Sequence, residues 1–102
     1  MYVFNITFNV DQDIETKWLA YVKNEFIPQM LKSGLLKSSL TSKIIVEEKQ
    51  GNSYSIQFTA ENKDDFKKFI KQEFFPIMNK LHLKFSPKVV YFATELEVID
   101  KQ

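Results

Sequence analysis

The segment KNEFIPQM at residues 23–30 recurs as KQEFFPIM at residues 71–78, which is 48 residues further along the chain. The same shift aligns Trp18 with Phe66, and in both copies apolar residues recur at the three- and four-residue spacing of one helix face. The chain is therefore predicted to contain two copies of one unit, each built around an amphipathic helix.

Both helices carry a proline at the matched position, Pro28 in the first copy and Pro76 in the second. A proline inside a helix lacks the backbone N–H and clashes with the carbonyl four residues earlier, so it kinks or divides the helix. We expect both helices to bend around the rest of the domain at this place, which favours a structural role for the prolines over a direct ligand-binding one.

Strands are predicted on both sides of each helix. Residues 2–10 and 53–60 alternate strictly between apolar and polar side chains, which is the period of a half-buried strand. Two further strands are expected at about residues 36–49 and 88–98. The order β-α-β-β-α-β predicts one α+β domain over residues 1–102. Its expected fold is ferredoxin-like, a four-stranded antiparallel sheet with two kinked helices on one face.

Turn and capping residues mark where these elements begin and end. Asp11 or Asp13 is expected to cap the first helix and Asn62 the second, because side-chain oxygens accept the unpaired N–H groups of a first turn. Gly34 is expected to end the first helix with a positive φ. Residues 50–52, Gln-Gly-Asn, are expected to form a tight hairpin turn.

The composition excludes several classes of function. The chain is 44% hydrophobic and 26% charged with a net charge of +1, which is typical of a folded domain. It contains no cysteine, so it has no disulfides, thiolate metal ligands or thiol nucleophiles. All 14 basic residues are lysines, so the guanidinium group that binds phosphates in bidentate fashion is missing. Neither a signal peptide nor a membrane span is apparent, so a cytoplasmic protein that does not contact membranes is expected.

Catalytic and metal-binding patterns are nearly absent. His82 is the single histidine and is expected to complement the dipole at the end of the second helix. No metal or other cofactor is expected, because no group of ligands accompanies His82 and the two glycines cannot form a phosphate loop. The weak candidates for catalytic groups are His82, Tyr54 and Tyr91, whereas the acidic pairs at residues 47–48 and 64–65 are interpreted as solvated surface.

The face of the sheet turned away from the helices is the most informative surface. Its central strands place there six small polar residues without a charge: Asn5, Thr7, Asn9, Ser55, Gln57 and Thr59. Uncharged polar groups suit partial burial, where an unpaired charge would be expensive, so this face is expected to pack against a second copy of itself. Tyr91 is added to this interface because the last strand is apolar on both faces at residues 89–92. A solvated face that merely lacks charges is the alternative.

Nucleic-acid binding is not expected. RNA-binding domains of this strand order carry aromatic side chains on the open sheet face, for stacking on bases. Here the aromatic residues fall in the opposite phase of both central strands, and near-neutral charge weakens attraction to phosphates.

The chain resembles the domain-of-unknown-function family 4286. The residues that carry the resemblance are 2–11 (YVFNITFNVD), the helical segment 18–34 and the strand 54–58 (YSIQF), and the likeness extends over nearly the whole chain. A histidine usually precedes the Ile-Pro pair in that family, whereas this chain has Phe26 there, so no role for that histidine carries over. The resemblance implies a fold similar to that of dimeric α/β-barrel proteins and no established activity.

Two functions therefore remain open. The first is a non-enzymatic homodimeric module that binds a small molecule or a partner protein. The second is a small cofactor-free enzyme, similar to the monooxygenases or isomerases of the dimeric α/β-barrel type, acting on an apolar or aromatic molecule. A second copy of the chain is the expected partner, and a small apolar ligand is the other. A pocket between sheet and helices would favour ligand binding, and a solid core would favour the interaction module.

Overall fold

Four antiparallel strands form one sheet in the order β2-β3-β1-β4. The structure is a computed structural model that describes residues 1–46 and 51–102. The strands are β1 (Tyr2–Val10), β2 (Ser38–Lys43), β3 (Asn52–Ala60) and β4 (Val89–Glu97). β1 pairs along its whole length with both β3 and β4, so β1 and β3 are the central strands and β2 and β4 the edges. This arrangement confirms the predicted fold class.

The two predicted helices are each divided into two segments. The first begins with a 3-10 turn and continues as α1 (Glu15–Tyr21), a π-helical turn (Val22–Phe26) and α2 (Ile27–Leu31). The second consists of α3 (Lys63–Gln72) and α4 (Phe74–Phe85).

The matched prolines account for these breaks. The N–H of Ile27 donates to the carbonyl of Val22, five residues earlier, and Pro28 follows directly in the first turn of α2. In the second copy Glu73 interrupts the helix with φ −111°, and Pro76 lies in the first turn of α4. A proline is tolerated in a first turn because its missing N–H has no intrahelical partner there. The predicted kinks are therefore confirmed, and each break falls just before the proline.

The core lies between the helices and one face of the sheet. The large side chains that are almost completely buried include Phe8, Trp18, Phe26, Phe58 and Phe69. Their rings meet edge to face or tilted, with centroids 5.1 Å apart for Phe8–Trp18 and 6.0 Å for Phe26–Phe58. The helical repeat and the apolar phase of the strands thus form a single core, as their periodicity predicted.

The expected ends of the helices are confirmed for the second copy and partly wrong for the first. Asn62 caps α3 by accepting the N–H of Asp65 at 2.9 Å, and Gly34 follows the first helix with φ 77°. Neither Asp11 nor Asp13 caps α1, which begins only at Glu15. The main chain of Asp11 is bonded to Lys88 and Ile14 instead, while the carboxylate of Asp13 is paired with the ammonium of Lys88.

The second strand is shorter than predicted. β2 ends at Lys43, and among the described residues one further main-chain bond continues the pairing, from Ile44 N–H to the carbonyl of Ser53 at 2.9 Å. The N–H of Val46 then bonds to the carbonyl of Ile44, so the chain turns within the apolar run that resembled a strand. Residues 47–50, which include Gln50 of the expected turn and an acidic pair, lie outside the described residues.

The hairpin glycine is confirmed, but its neighbour has another role. Gly51 has φ 72°, and a Cβ there would come within 2.5 Å of the carbonyl oxygen of Val10. Asn52 was expected in the turn, but it has no positive φ and is the first residue of β3. The close approach of Gly51 to the end of β1 leaves no room for a side chain.

Candidate functional site: the open face of the sheet

The open face is the side of the sheet away from the helices, and it carries no charged residue in the described strands. The register places alternate residues of all four strands there: Val3, Asn5, Thr7, Asn9, Ser38, Leu40, Ser42, Ser53, Ser55, Gln57, Thr59, Val90, Phe92, Thr94 and Leu96. The charged residues of these strands, Lys43, Glu95 and Glu97, pair with Tyr54, Phe4 and Tyr2, on the helix-facing side. The strands therefore segregate charge completely between their two sides.

Hydrogen bonds between side chains connect the polar centre of the open face. Ser55 Oγ donates to Asn5 Oδ1 at 2.6 Å, and Asn5 Nδ2 donates to Thr7 Oγ1 at 3.1 Å. At one end the hydroxyls of Ser38 and Thr59 lie 2.6 Å apart. These side chains already have hydrogen-bond partners within one copy of the chain. Removing water from the open face therefore costs less free energy than it would for unpaired polar groups.

Apolar side chains border this polar centre on both edge strands. Val90 and Phe92 on β4 are 60% and 62% exposed, and Leu40 on β2 is 61% exposed. A shallow cavity of about 170 Å³ lies between β1 and β4, lined by residues that include Thr7, Val90 and Phe92. The open face thus combines exposed apolar edges with a hydrogen-bonded, uncharged middle.

Tyr91 does not belong to this face. It pairs with Phe8 in the register, and the two rings lie 5.9 Å apart on the helix-facing side. Because β4 is an edge strand that the helices cover incompletely, Tyr91 is still 39% exposed. The other six residues of the expected interface do share the open face, in two neighbouring columns on β1 and β3.

A second polar cluster lies at the opposite side of the sheet, around Glu15 at the start of α1. The hydroxyl of Tyr54 donates to Glu15 Oε2, and Asn52 Nδ2 lies 3.1 Å and 2.9 Å from the two carboxylate oxygens. Lys43 Nζ is 4.0 Å from Oε2. The cluster joins α1 to β2 and β3, and Trp18 packs on the Tyr54 ring at 5.1 Å.

The environment of Tyr54 keeps its hydroxyl protonated. Burial, the hydrogen bond to Glu15 and the negative charge of that carboxylate raise the pKa of Tyr54 to about 12. A phenol in this state is a hydrogen-bond donor rather than a base at neutral pH.

The three weak catalytic candidates are not brought together. Tyr54 is bonded to Glu15 in the core, Tyr91 lies on the edge strand, and His82 is exposed in the last turn of α4. The residue that sequence reasoning missed is Glu15, because a single carboxylate near a helix start resembles ordinary capping.

The space between sheet and helices is filled by side chains, among them Ile56, Phe58 and Met78, each at most 1% exposed. A cavity of about 660 Å³ lies instead between α2 and α4 within the helix layer. Within residues 1–46 and 51–102, no three His, Asp or Glu side chains are close enough to hold a metal ion. None of the helices described is both long and apolar enough to cross a bilayer.

Solved structures with the same fold cover nearly the whole chain. A dimeric ferredoxin-like protein from an uncultured marine organism has a TM-score of 0.70 at 14% identity, over 99% of this chain and 97% of its own. A second dimeric ferredoxin-like protein of that origin has a TM-score of 0.67 at 18% identity, over 99% and 96%. SnoaB, a cofactor-independent oxygenase from Streptomyces nogalater in mutant form, has a TM-score of 0.67 at 12% identity, over 98% and 95%. At these identities the likeness concerns the fold alone.

At the level of sequence, one family matches the chain. No curated protein is significantly similar to it. The model of the domain of unknown function DUF4286 matches residues 1–99, which is nearly the full length. The chain therefore belongs to the family DUF4286.

Proposed function

We propose that this protein is a homodimeric binding module whose two copies pack open face to open face. The observation that carries the proposal is the segregation of charge: every open-face position in the described strands is uncharged, whereas Lys43, Glu95 and Glu97 lie on the other side. A face in full contact with water has no physical reason to exclude charge, but a face that is covered does.

The size of the face suits a dimer. Four strands at a spacing of about 4.8 Å span about 19 Å, and nine residues at about 3.3 Å span about 30 Å. The flat projection of the face is thus about 570 Å², and its accessible surface is larger because the side chains project from it. A standard interface buries roughly 800 Å² of accessible surface per partner, which is of similar size. The dimeric ferredoxin-like proteins of the same fold further support the proposal.

Gln57 is the residue best placed to meet its own copy. It lies in the middle of β3, between Asn5 on β1 and Leu40 on β2, and its side chain has no hydrogen-bond partner among the described residues. A side-chain amide both donates and accepts, so two copies can pair with each other across a twofold axis.

Sedimentation equilibrium of the full chain tests the dimer, because the monomer has a mass of 12.1 kDa. We expect twice that mass at micromolar concentration for the wild type and the monomer mass for Gln57→Glu, since that change puts two negative charges against each other with almost no change in shape. Gln72→Glu, the same substitution at the exposed end of α3, is the control and should remain dimeric. A monomeric wild type, or identical behaviour of the two variants, would overturn the proposal.

The second candidate, a small cofactor-free enzyme, is favoured by the likeness to SnoaB. Its substrate would have to bind elsewhere than between sheet and helices, where the aromatic core fills the space. Oxygen uptake with hydroquinone as the probe tests it: uptake above the rate without protein would favour the enzyme, and none above that rate would count against it.

A further inference from the structure

A cleft lies between α2 and α4, on the side of the domain opposite to the open face. Its volume of about 660 Å³ falls within the range of roughly 300–1,000 Å³ of small-molecule sites. Because it lies in the helix layer, a dimer built on the open face leaves it accessible. A ligand bound in the cleft would therefore not compete with the proposed dimer.

One lysine from each half of the chain borders the cleft. Lys32 and Lys80 are 48 residues apart, the same shift as the internal repeat. The ion pairs in the described part of the chain involve Lys43 and Lys88, so neither of these two ammonium groups has a carboxylate within pairing distance there. Two unpaired cations at one cleft favour an anionic ligand group.

The cleft also has an acidic side. Glu73 lines it together with the two lysines, and its carboxylate favours an ammonium group on the ligand. The cleft therefore offers opposite charges to a ligand that carries both.

An apolar surface lies between these groups. Ile77 packs against the core from the cleft side, and the Pro76 ring is exposed beside it. The cleft thus has sites for a carboxylate, for a nitrogen donor and for an apolar body.

We propose that the cleft binds a free α-amino acid with an apolar side chain. Its carboxylate lies between Lys32 and Lys80, and its ammonium group faces Glu73. Its side chain rests on Ile77 and Pro76.

Three compounds that share a phenyl ring on a two-carbon chain test this assignment. Each is titrated into the full-length protein while the amide chemical shifts are recorded. L-phenylalanine carries both charged groups, 3-phenylpropanoate lacks the ammonium, and 2-phenylethylamine lacks the carboxylate. We expect L-phenylalanine to bind with a Kd of about 1 mM, as its size predicts, and to shift the amides of Gln29 and Ile77. Each single-charge probe should bind about fivefold more weakly. Equal binding of all three, shifts confined to other surfaces, or no binding of any would overturn the proposal.

Variants at the two lysines separate the charge contribution from general effects. Lys32→Gln and Lys80→Gln should each weaken the binding of L-phenylalanine and of 3-phenylpropanoate by about threefold. The binding of 2-phenylethylamine, which has no carboxylate, should not change. All three lysines involved are exposed, and Lys68→Gln on α3, away from the cleft, is the control that should bind like the wild type. An equal loss of binding in the Lys68→Gln control, or no loss in a variant that combines Lys32→Gln with Lys80→Gln, would contradict the assignment whatever the oligomeric state.

Discussion

The side chain of Glu15 connects α1 with two strands of the sheet. Its carboxylate accepts the hydroxyl of Tyr54 and the amide of Asn52, both from β3, and lies near Lys43 on β2. The Tyr54 ring at the same time belongs to the buried core beside Trp18. The phenol therefore has to remain neutral for the helix, the hairpin and the core to keep these contacts.

This requirement predicts a loss of stability at alkaline pH. The pKa of Tyr54 is about 12 in the folded state and 10.0 for a free tyrosine. Between these values the unfolded chain binds fewer protons than the folded one, so the free energy of unfolding falls as the pH rises through this window. Below pH 10.0 the contribution is fully present. Urea unfolding at several pH values measures this fall in the free energy of unfolding, and tyrosinate absorbance follows the ionisation of the tyrosines.

Two variants show whether the effect belongs to Tyr54. Tyr54→Phe should be less stable at neutral pH by about 1.5–3 kcal/mol, the range for a hydrogen bond to a charged group, and its stability should fall less between neutral and alkaline pH. Tyr91→Phe removes a hydroxyl that has no hydrogen bond among the described residues, and it should follow the wild type. Parallel curves for all three proteins would refute the assignment of the pKa.

At the scale of elements, the two halves begin their helices in different ways. In the second half the side chain of Asn62 caps α3. In the first half Asp11 precedes a 3-10 turn but its side chain makes no capping bond, and the repeat matches Asn62 with Ile14, which cannot cap α1 with its side chain. The repeat thus preserves the helix faces without preserving the helix starts.

The difference predicts unequal costs for removing the two side chains. Asn62→Ala should lower the free energy of unfolding by about 1 kcal/mol, because the N–H of Asp65 loses its acceptor. Asp11→Ala should change it by less than about 0.5 kcal/mol, as for other exposed positions without a specific contact. Urea unfolding of both variants compares them, and a larger effect of Asp11→Ala would show that its carboxylate has a role that its contacts do not reveal.

At the scale of the whole molecule, the sheet separates two environments. The helix-facing side contains the aromatic core, with the charged strand residues at the edges that the helices leave uncovered. The open side is uncharged throughout the described strands and is bordered by Phe92, Val90 and Leu40. In the proposed dimer this open side becomes a second core between two copies.

A dimer of this kind makes thermal stability depend on concentration. Association stabilises the folded state by mass action, so a hundredfold increase in protein concentration should raise the Tm by about 5 °C or more. The Gln57→Glu variant should show a lower Tm that no longer changes with concentration. Scanning calorimetry over this range measures the effect, and a constant Tm for the wild type would argue against association through the open face.

The fold was predictable because its signals are local and repeated. Strict alternation in β1 and β3 identified the central strands, and the matched helix stripes identified the side that carries the helices. The end of β2 was not predictable, because the apolar run at residues 44–46 has strand composition, and only its main-chain bonds show that it turns. Tyr91 was grouped with the open-face residues for a related reason: in an apolar edge strand, composition does not reveal which side chains face the helices.

The sequence by itself determined the absences and the periodicities: no cysteine, no arginine, one histidine, two matched helices and an uncharged phase on the central strands. These follow from residue types and spacing, which act within a few positions of each other. Only the tertiary structure decided which distant groups meet. It brought Glu15 to Tyr54, 39 residues away, and Lys32 to the same cleft as Lys80, and it extended the uncharged phase across all four described strands. Such contacts depend on strand register and helix packing, which no local pattern specifies.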